Sequence, residues 1–151
     1  MQQATLLFLI EGERILLAMK KRGFGAGHWN GVGGKPDPGE TIEEAAIREC
    51  KEEINVTPLS IKFAGSLKFY FEGKKDWDQE VKVYLCHTWK GNPEETEEMS
   101  PKWFNVSEIP FDNMWEDDKI WLPEVLSGKK INAEFHFDKN NKISSYKVNS
   151  S

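Results

Sequence analysis

The sequence predicts an α/β domain: a mixed β-sheet with two main helices. Three observations predict it. Several segments, LSIKFAGSLKFYFE and QEVKVYLCHTW among them, alternate apolar and polar residues with the two-residue period of a strand. Two segments carry helix start or stop signals. The helices are interspersed among the strands rather than grouped apart from them. With 151 residues, no internal repeat and no linker, the chain reads as one domain spanning 1–151.

The elements follow in order. TLLFLIEGERILLAMKK reads as two strands around the turn Glu11-Gly12-Glu13. RGFGAGHWNGVGGKPDPGE is rich in Gly and Pro and reads as loop or irregular strand. The first helix comes next. Thr41 and Glu44 make the T-x-x-E capping-box pattern at its start, and Asn55 suits a left-handed stop. The two alternating strands follow, joined by the loop GKKDWDQ. MSPKWFNV reads as a further short strand, and DNMWEDDKIWLPEVLSG as a shorter helix closed by Gly128. INAEFHFDKNNKISSYKV reads as a hairpin around Lys139-Asn140-Asn141.

Composition narrows the function classes. Apolar residues make up 38% of the chain, enough for a real core. No apolar run is long enough to span a bilayer, and the N-terminus lacks the basic start and small-residue cleavage site of a secretory signal. Cys50 and Cys86 are far apart and outside any C-x-x-C spacing, which points to a reducing, cytoplasmic setting without structural zinc. A net charge of −5 with no basic stripe argues against gripping a nucleic-acid duplex. A small anion remains possible if a metal supplies positive charge.

The first helix poses the chemical question. With Ile42 as zero, Ala46, Cys50, Ile54 and Ile47 span an apolar arc from ~40° to ~140°. Glu53 falls near ~20°, inside that arc, and Glu49 near ~340°, at its edge. Glu52 lies beside them, near ~280°. Glu43 also projects inward, but from the first turn, where a carboxylate suits the helix dipole. Glu44 points away. A carboxylate beside a core costs several kcal/mol unless something pairs with it, and one Arg, Arg48, cannot neutralise three. A hard divalent cation such as Mg²⁺ would. Periodicity alone leaves open the alternative of a solvated acidic face with ordinary side-chain pairs.

Spacing adds a second signal. Gly34, Glu40, Arg48-Glu49, Glu52-Glu53 and Val56 stand in the pattern of the Nudix box, a 23-residue signature, and the chain resembles the Nudix family on these residues. The usual Gly near the end of the box is Asn55 here, which also tolerates a left-handed backbone. The resemblance implies an α/β/α sandwich with the box as loop–helix–loop. It implies Glu49, Glu52 and Glu53 as metal ligands joined by the Gly34 carbonyl, with Glu40 and Arg48 orienting them. The metal implied is Mg²⁺, with Mn²⁺ as a substitute, and the chemistry is attack of water on a diphosphate phosphorus. Which Glu takes the proton stays open.

Further segments narrow the substrate. KKRGFGAGHWNGVGGK, EEMSPKWF and IPFDNMWEDDKIWLP are similar to the MutT-homologue branch of the family, which hydrolyses oxidised purine nucleoside triphosphates to monophosphate and pyrophosphate. The resemblance implies that Asp117 and Asp118 read the base, that Trp115 stacks on it and that Asn30 contacts it. It places Thr5, Phe24, Phe69, Phe71 and Met99 around the base pocket, Lys20 within reach of the ligand, and Glu98 as a further metal-side carboxylate. Each has a plainer reading. The Asp pair could cap the second helix, and Asn30 could close a turn. The Phe residues could be core, Lys20 could block a sheet edge, and Glu98 could be solvated. The chain departs from the branch at His28, expected to be peripheral, and at Glu116, where Pro is familiar. Trp77, Asp78 and Gln79 replace an apolar contact. The expectation is a monomer acting on a small nucleotide. Another Nudix substrate (an undamaged or methylated purine nucleotide, an RNA cap) or a silent nucleotide-sensing domain is the alternative.

Overall fold

The structure, a computed structural model, describes residues 1–23 and 25–151. Its strands are β1 (Gln2–Glu11), β2 (Arg14–Lys20), β3 (Trp29–Asn30), β4 (Thr57–Phe71), β5 (Gln79–Lys90), β6 (Met99–Asn105), β7 (Ile131–Phe137) and β8 (Ile143–Ser150). The helices are α1 (Ile42–Ile54) and α2 (Asp118–Leu126). The strands form one sheet in the order β3-β2-β1-β5-β4-β7-β8, with β6 paired to β2. It is mixed: β1 and β5 run parallel, as do β4 and β7, and the other pairs are antiparallel.

The helices cover opposite faces. Leu7 and Leu9 of β1 pack with Ala46, Cys50 and Ile54 of α1. Phe8 and Ile10, one residue out of phase, pack with Trp121, Leu122 and Val125 of α2. A central strand buried on both sides explains why the first segment is continuously apolar instead of alternating. The architecture is the expected α/β/α sandwich.

Local chemistry sets α1 as the sequence predicts. Thr41 Oγ1 accepts the Glu44 N–H at 3.1 Å, and Glu44 Oε1 accepts the Thr41 N–H at 2.9 Å. Asn55 ends the helix at φ 60° and donates its N–H to the Lys51 carbonyl. The buried arc is wider than the predicted one, because Ala45 on its far side is fully buried. Glu53 therefore sits in the middle of the arc and Glu49 inside it. The predicted hairpin forms with Asn141 at φ 60°.

The segment before α1 lies flat on β1. Leu7 and Val32 exchange backbone hydrogen bonds of 2.7 and 3.0 Å, and the Thr5 N–H donates to the Gly34 carbonyl at 2.8 Å. Such close approach needs a residue without Cβ at position 33, where a methyl group would overlap the Thr5 carbonyl. Gly33→Ala should therefore lower stability by about 1–3 kcal/mol, the usual cost of overpacking a filled site. Urea unfolding checks it: the midpoint should drop while the slope stays constant.

Candidate active site

The box acids converge on one guanidinium. Arg48 Nε donates to Glu40 Oε2 at 2.8 Å and Nη2 to Glu40 Oε1 at 3.0 Å. Its Nη1 reaches Glu49 at 2.8 Å and Glu52 at 3.1 Å, and Nη2 also donates to the Lys35 carbonyl at 3.0 Å. The Arg48 guanidinium holds the Glu40 carboxyl below its usual range, and the Asp37 N–H adds to this. Arg48 thus ties the loop before α1 to the helix and holds three carboxylates together.

Glu53 faces the other way. Only 9% exposed, it accepts the Gly33 N–H at 2.8 Å. Burial pushes its carboxyl up to about 8 despite that hydrogen bond, with the charges of Glu49 and Glu98 adding to the rise. Burial also raises Glu49. Glu52 is mostly exposed. Glu98 lies on the neighbouring segment, half exposed, and accepts from Arg22 at 2.9 Å.

Among the described residues, no three Asp, Glu, His or Cys side chains converge at ligating distance, since Arg48 draws Glu49 and Glu52 into its own hydrogen bonds. The donor set nevertheless fits a hard divalent cation. It is all oxygen, it is over-rich in negative charge, and it includes a buried carboxyl that only Lys20 opposes among the named charges. The Glu49 carboxylate packs into the space a side chain at Gly34 would fill, 2.6–2.8 Å from the missing Cβ. That brings the Gly34 backbone against the carboxylate.

A cavity of about 290 Å³ opens beside this cluster, with Glu53, Gly33 and Gly34 in its lining. Asp117, Asp118 and Trp115 line it too, as do Thr5, Lys20 and Asn30, and Phe69, Phe71 and Met99. One cavity therefore gathers the expected base-side residues and one end of the acidic cluster. Phe24 lies outside the described residues.

Several plainer readings can now be judged. Asp117 already has helical backbone angles and makes no side-chain capping bond, and among the described residues Asp118 Oδ2 has no hydrogen-bond partner. The pair does not cap α2. Asp117 accepts the Trp121 indole N–H at 2.8 Å. Burial pushes Asp117 up to about 6, and burial together with the neighbouring Asp117 charge raises Asp118 well above the carboxylate range. Each carboxyl of the pair therefore keeps its proton to higher pH than a free aspartate does. Lys20 does not block an edge, because β2 has partners on both sides. Its stem runs along the turn at Gly23 and Gly25.

For other residues two readings hold together. Asn30 Oδ1 accepts the Gly31 N–H at 2.9 Å, and the side chain still lines the cavity. Thr5 Oγ1 bonds both N–H and carbonyl of Gly34, at 3.2 and 3.3 Å. Phe69 stacks on Phe135 and Phe71 on Phe137, so both are core as well as wall.

One expectation is corrected. His28 is not peripheral: it lines the cavity and stacks on Trp115, with ring centroids 4.4 Å apart and planes within 1°. Its buried Nδ1 has no hydrogen-bond partner among the described residues, so the ring sits there for its face. Gln79, one of the three residues at the expected apolar contact, lines the cavity, and so does Phe137, for which the available signal was parity along a strand.

The Asp pair carries a pH signature. Both folded-state pKa values lie above the ordinary value of about 3.9. The native state then binds more protons, so this contribution to stability is complete below about pH 4 and falls as pH rises, through about 6 for Asp117 and further up for Asp118. Asp118→Asn has no proton to lose at that position. Its melting temperature relative to the parent should rise by a few degrees between pH 4 and pH 7, as paired thermal scans would show. A flat difference would mean that the pair is not protonated in the folded state.

Comparisons with known proteins agree with this geometry. The NUDIX domain pattern matches residues 1–125. The chain is 42% identical over 144 residues to the oxidized purine nucleoside triphosphate hydrolases of Danio rerio and Mus musculus, covering 95% of this chain and 92% of theirs. A MutT protein from Bacillus halodurans superposes with a TM-score of 0.83 at 22% identity, over 99% of this chain and 98% of that one. A MutT Nudix hydrolase from Burkholderia pseudomallei gives 0.67 at 27% identity, over 72% and 86%. The Arg-tied acidic helix, the glycine strap on β1 and this similarity along the chain together show that it belongs to the Nudix family.

Proposed function

We propose that the chain is a pyrophosphohydrolase of oxidised purine nucleoside triphosphates, releasing monophosphate and pyrophosphate. The observation that carries this reading is the buried, proton-holding pair Asp117–Asp118 in the same aromatic cavity as Glu53. The named activity of the fish and mouse relatives supports it. Nudix hydrolases generally need a divalent metal ion. Here Mg²⁺ is the proposed ion, with Mn²⁺ as a substitute, and the protein acts as a cytoplasmic, single-domain monomer. No helix is long and apolar enough to cross a membrane among the described residues.

In this reading Glu49, Glu52, Glu53 and the Gly34 carbonyl hold the metal, with Glu98 nearby; bound there, it neutralises phosphate charge and acidifies water. Arg48 and Glu40 fix the carboxylates. Glu52 or Glu53 takes the proton of the water that attacks phosphorus. The base lies between the aromatic walls with Trp115 as stacking surface, and Asn30 contacts its edge. Asp117 and Asp118 exchange donor and acceptor roles by moving their shared proton, which lets one site bind more than one oxidised purine.

The deciding experiment is pyrophosphate release from a panel of oxidised and ordinary purine triphosphates with Mg²⁺. Glu53→Gln should cut turnover by about 10²–10⁴-fold in a folded protein. Glu44→Gln is the control, since Gln serves the capping box as well as Glu does. Full turnover in folded Glu53→Gln, or unchanged rates in chelator, would sink the assignment.

Base reading has its own test. Asp117→Asn and Asp118→Asn fix one hydrogen-bond pattern. Each should change the kcat/KM ratio for 8-oxo-dGTP over 2-hydroxy-dATP by roughly ten- to over a hundredfold, the equivalent of about 1–3 kcal/mol for a group left unpaired. An unchanged ratio would assign the pair a structural role instead.

A further inference from the structure

The C-terminal end of α1 meets the segment between β5 and β6. The Asn55 N–H satisfies the Lys51 carbonyl, and the carbonyls beyond it need donors from outside the helix. The Glu94 N–H donates to the Ile54 carbonyl at 3.0 Å, and the Thr96 hydroxyl donates to the Glu53 carbonyl at 2.8 Å. The Asn55 amide also donates to the Glu94 carboxylate at 3.2 Å. The same segment then carries Glu98 and Met99 into β6.

A threonine hydroxyl has one donor and two acceptor sites, and Thr96 uses all of them. Besides donating to Glu53, its Oγ1 accepts the Glu98 N–H at 3.3 Å and the Met99 N–H at 3.2 Å. The Thr96 N–H donates to the Met99 carbonyl at 2.9 Å and closes the turn. On its other side the turn is fixed to β2: the Lys21 N–H donates to the Glu98 carbonyl at 2.9 Å, and Met99 pairs with Lys20. One half-buried hydroxyl thus joins the backbone of Glu53 to the backbone of Glu98. The two carboxylates lie in each other's field, since burial raises Glu53 first and the Glu98 charge adds to it. Arg22 holds the Glu98 carboxylate at 2.9 Å, but that pair is exposed and restrains little. The anchor at Thr96 therefore decides where the Glu98 side chain starts.

We infer that Thr96 is a positioning residue whose hydroxyl sets the spacing between Glu53 and Glu98, and through that spacing the affinity of the site for a divalent metal ion. The inference rests on the proposed placement of the metal at α1 with Glu98 nearby. Thr96 bonds backbone groups and neither carboxylate, so it acts through the two acids and not on the ion. Removing a group that orients metal ligands costs about 10–100-fold in affinity.

Thr96→Val keeps the shape and removes the hydroxyl, and Thr96→Ser keeps the hydroxyl. Mn²⁺ titration followed by electron paramagnetic resonance, without nucleotide, reads the affinity directly. Thr96→Val should weaken Mn²⁺ binding roughly tenfold or more, and Thr96→Ser should stay within about twofold of the parent. The Mg²⁺ concentration for half-maximal pyrophosphate release should rise by a similar factor in Thr96→Val. Glu98→Gln weakens Mn²⁺ binding by itself, and adding Thr96→Val to it should change little, because the spacing then has no carboxylate to place. A merely structural Thr96 would lower the melting temperature and leave the Mn²⁺ affinity of the folded protein alone. Thr96→Ala takes the place of Thr96→Val if the latter does not fold. Parental Mn²⁺ affinity in the folded variant, or an equal loss with and without the Glu98 carboxylate, overturns the inference. If the parent binds Mn²⁺ but cleaves no nucleotide, the hydrolysis reading falls, and the titration still decides the role of Thr96. A parent that binds no Mn²⁺ overturns the inference.

Discussion

The arrangement of the site depends on Arg48. Three carboxylates stand within one and a half turns of α1 and its entry loop, and their mutual repulsion would spread them apart. A planar guanidinium with five donors can hold them at fixed angles, which a lysine ammonium could not do. Arg48 uses its donors on Glu40, Glu49, Glu52 and the Lys35 carbonyl, and Asp37 lies 3.2 Å from Nε. The cost of gathering negative charge is thus offset locally, before any ligand arrives. Glu53 lies outside this network, and among the described residues the Gly33 N–H is its one side-chain hydrogen bond. The acid of the helix that burial pushes up furthest is therefore the one that lines the cavity.

The Gly31–Gly34 strap connects the two halves of the site. It hydrogen-bonds to β1 on one side and presents the Gly33 N–H to Glu53 on the other. β1 is central, buried on both faces, and cannot shift without disturbing both clusters. The acids are thereby referenced to the sheet that also carries Phe69, Phe71 and Val81 of the cavity wall. The distance between the acids and the cavity wall is set by backbone pairing, and that is more exact than loop packing.

Helix α1 was legible in the sequence because its signals are local: a capping box, a left-handed stop and a 3.6-residue period all lie within fifteen residues. The mixed character of the sheet was legible from the alternation of elements. The identity of the parallel neighbours was not, because the pairing of β1 with β5 joins residues some seventy-seven apart and leaves no local trace. The same limit hid the stack of His28 on Trp115, whose partners meet only through the fold. Burial of Glu53 was visible as a misplaced acid on the helical wheel. That Arg48 would take Glu49 and Glu52 was not, because angles on a wheel do not say which of several acids a long side chain will reach. Phe69 and Phe71 looked ambiguous because they are in fact both core and wall.

The C-terminal hairpin has a consequence in time. Residues 131–150 lie beyond the stretch that the family pattern matches, yet Phe137 and Asn141 line the cavity, and Lys74 reaches across to Asn141. β7 joins the sheet by parallel pairing with β4, some sixty-six positions earlier in the chain. Contacts that distant close late in folding, because the loop between them must be ordered first. A chain still emerging from the ribosome can form α1 and its acidic cluster while the cavity lacks one wall. The acidic cluster and the cavity thus come together at different moments, because β7 supplies part of the cavity wall.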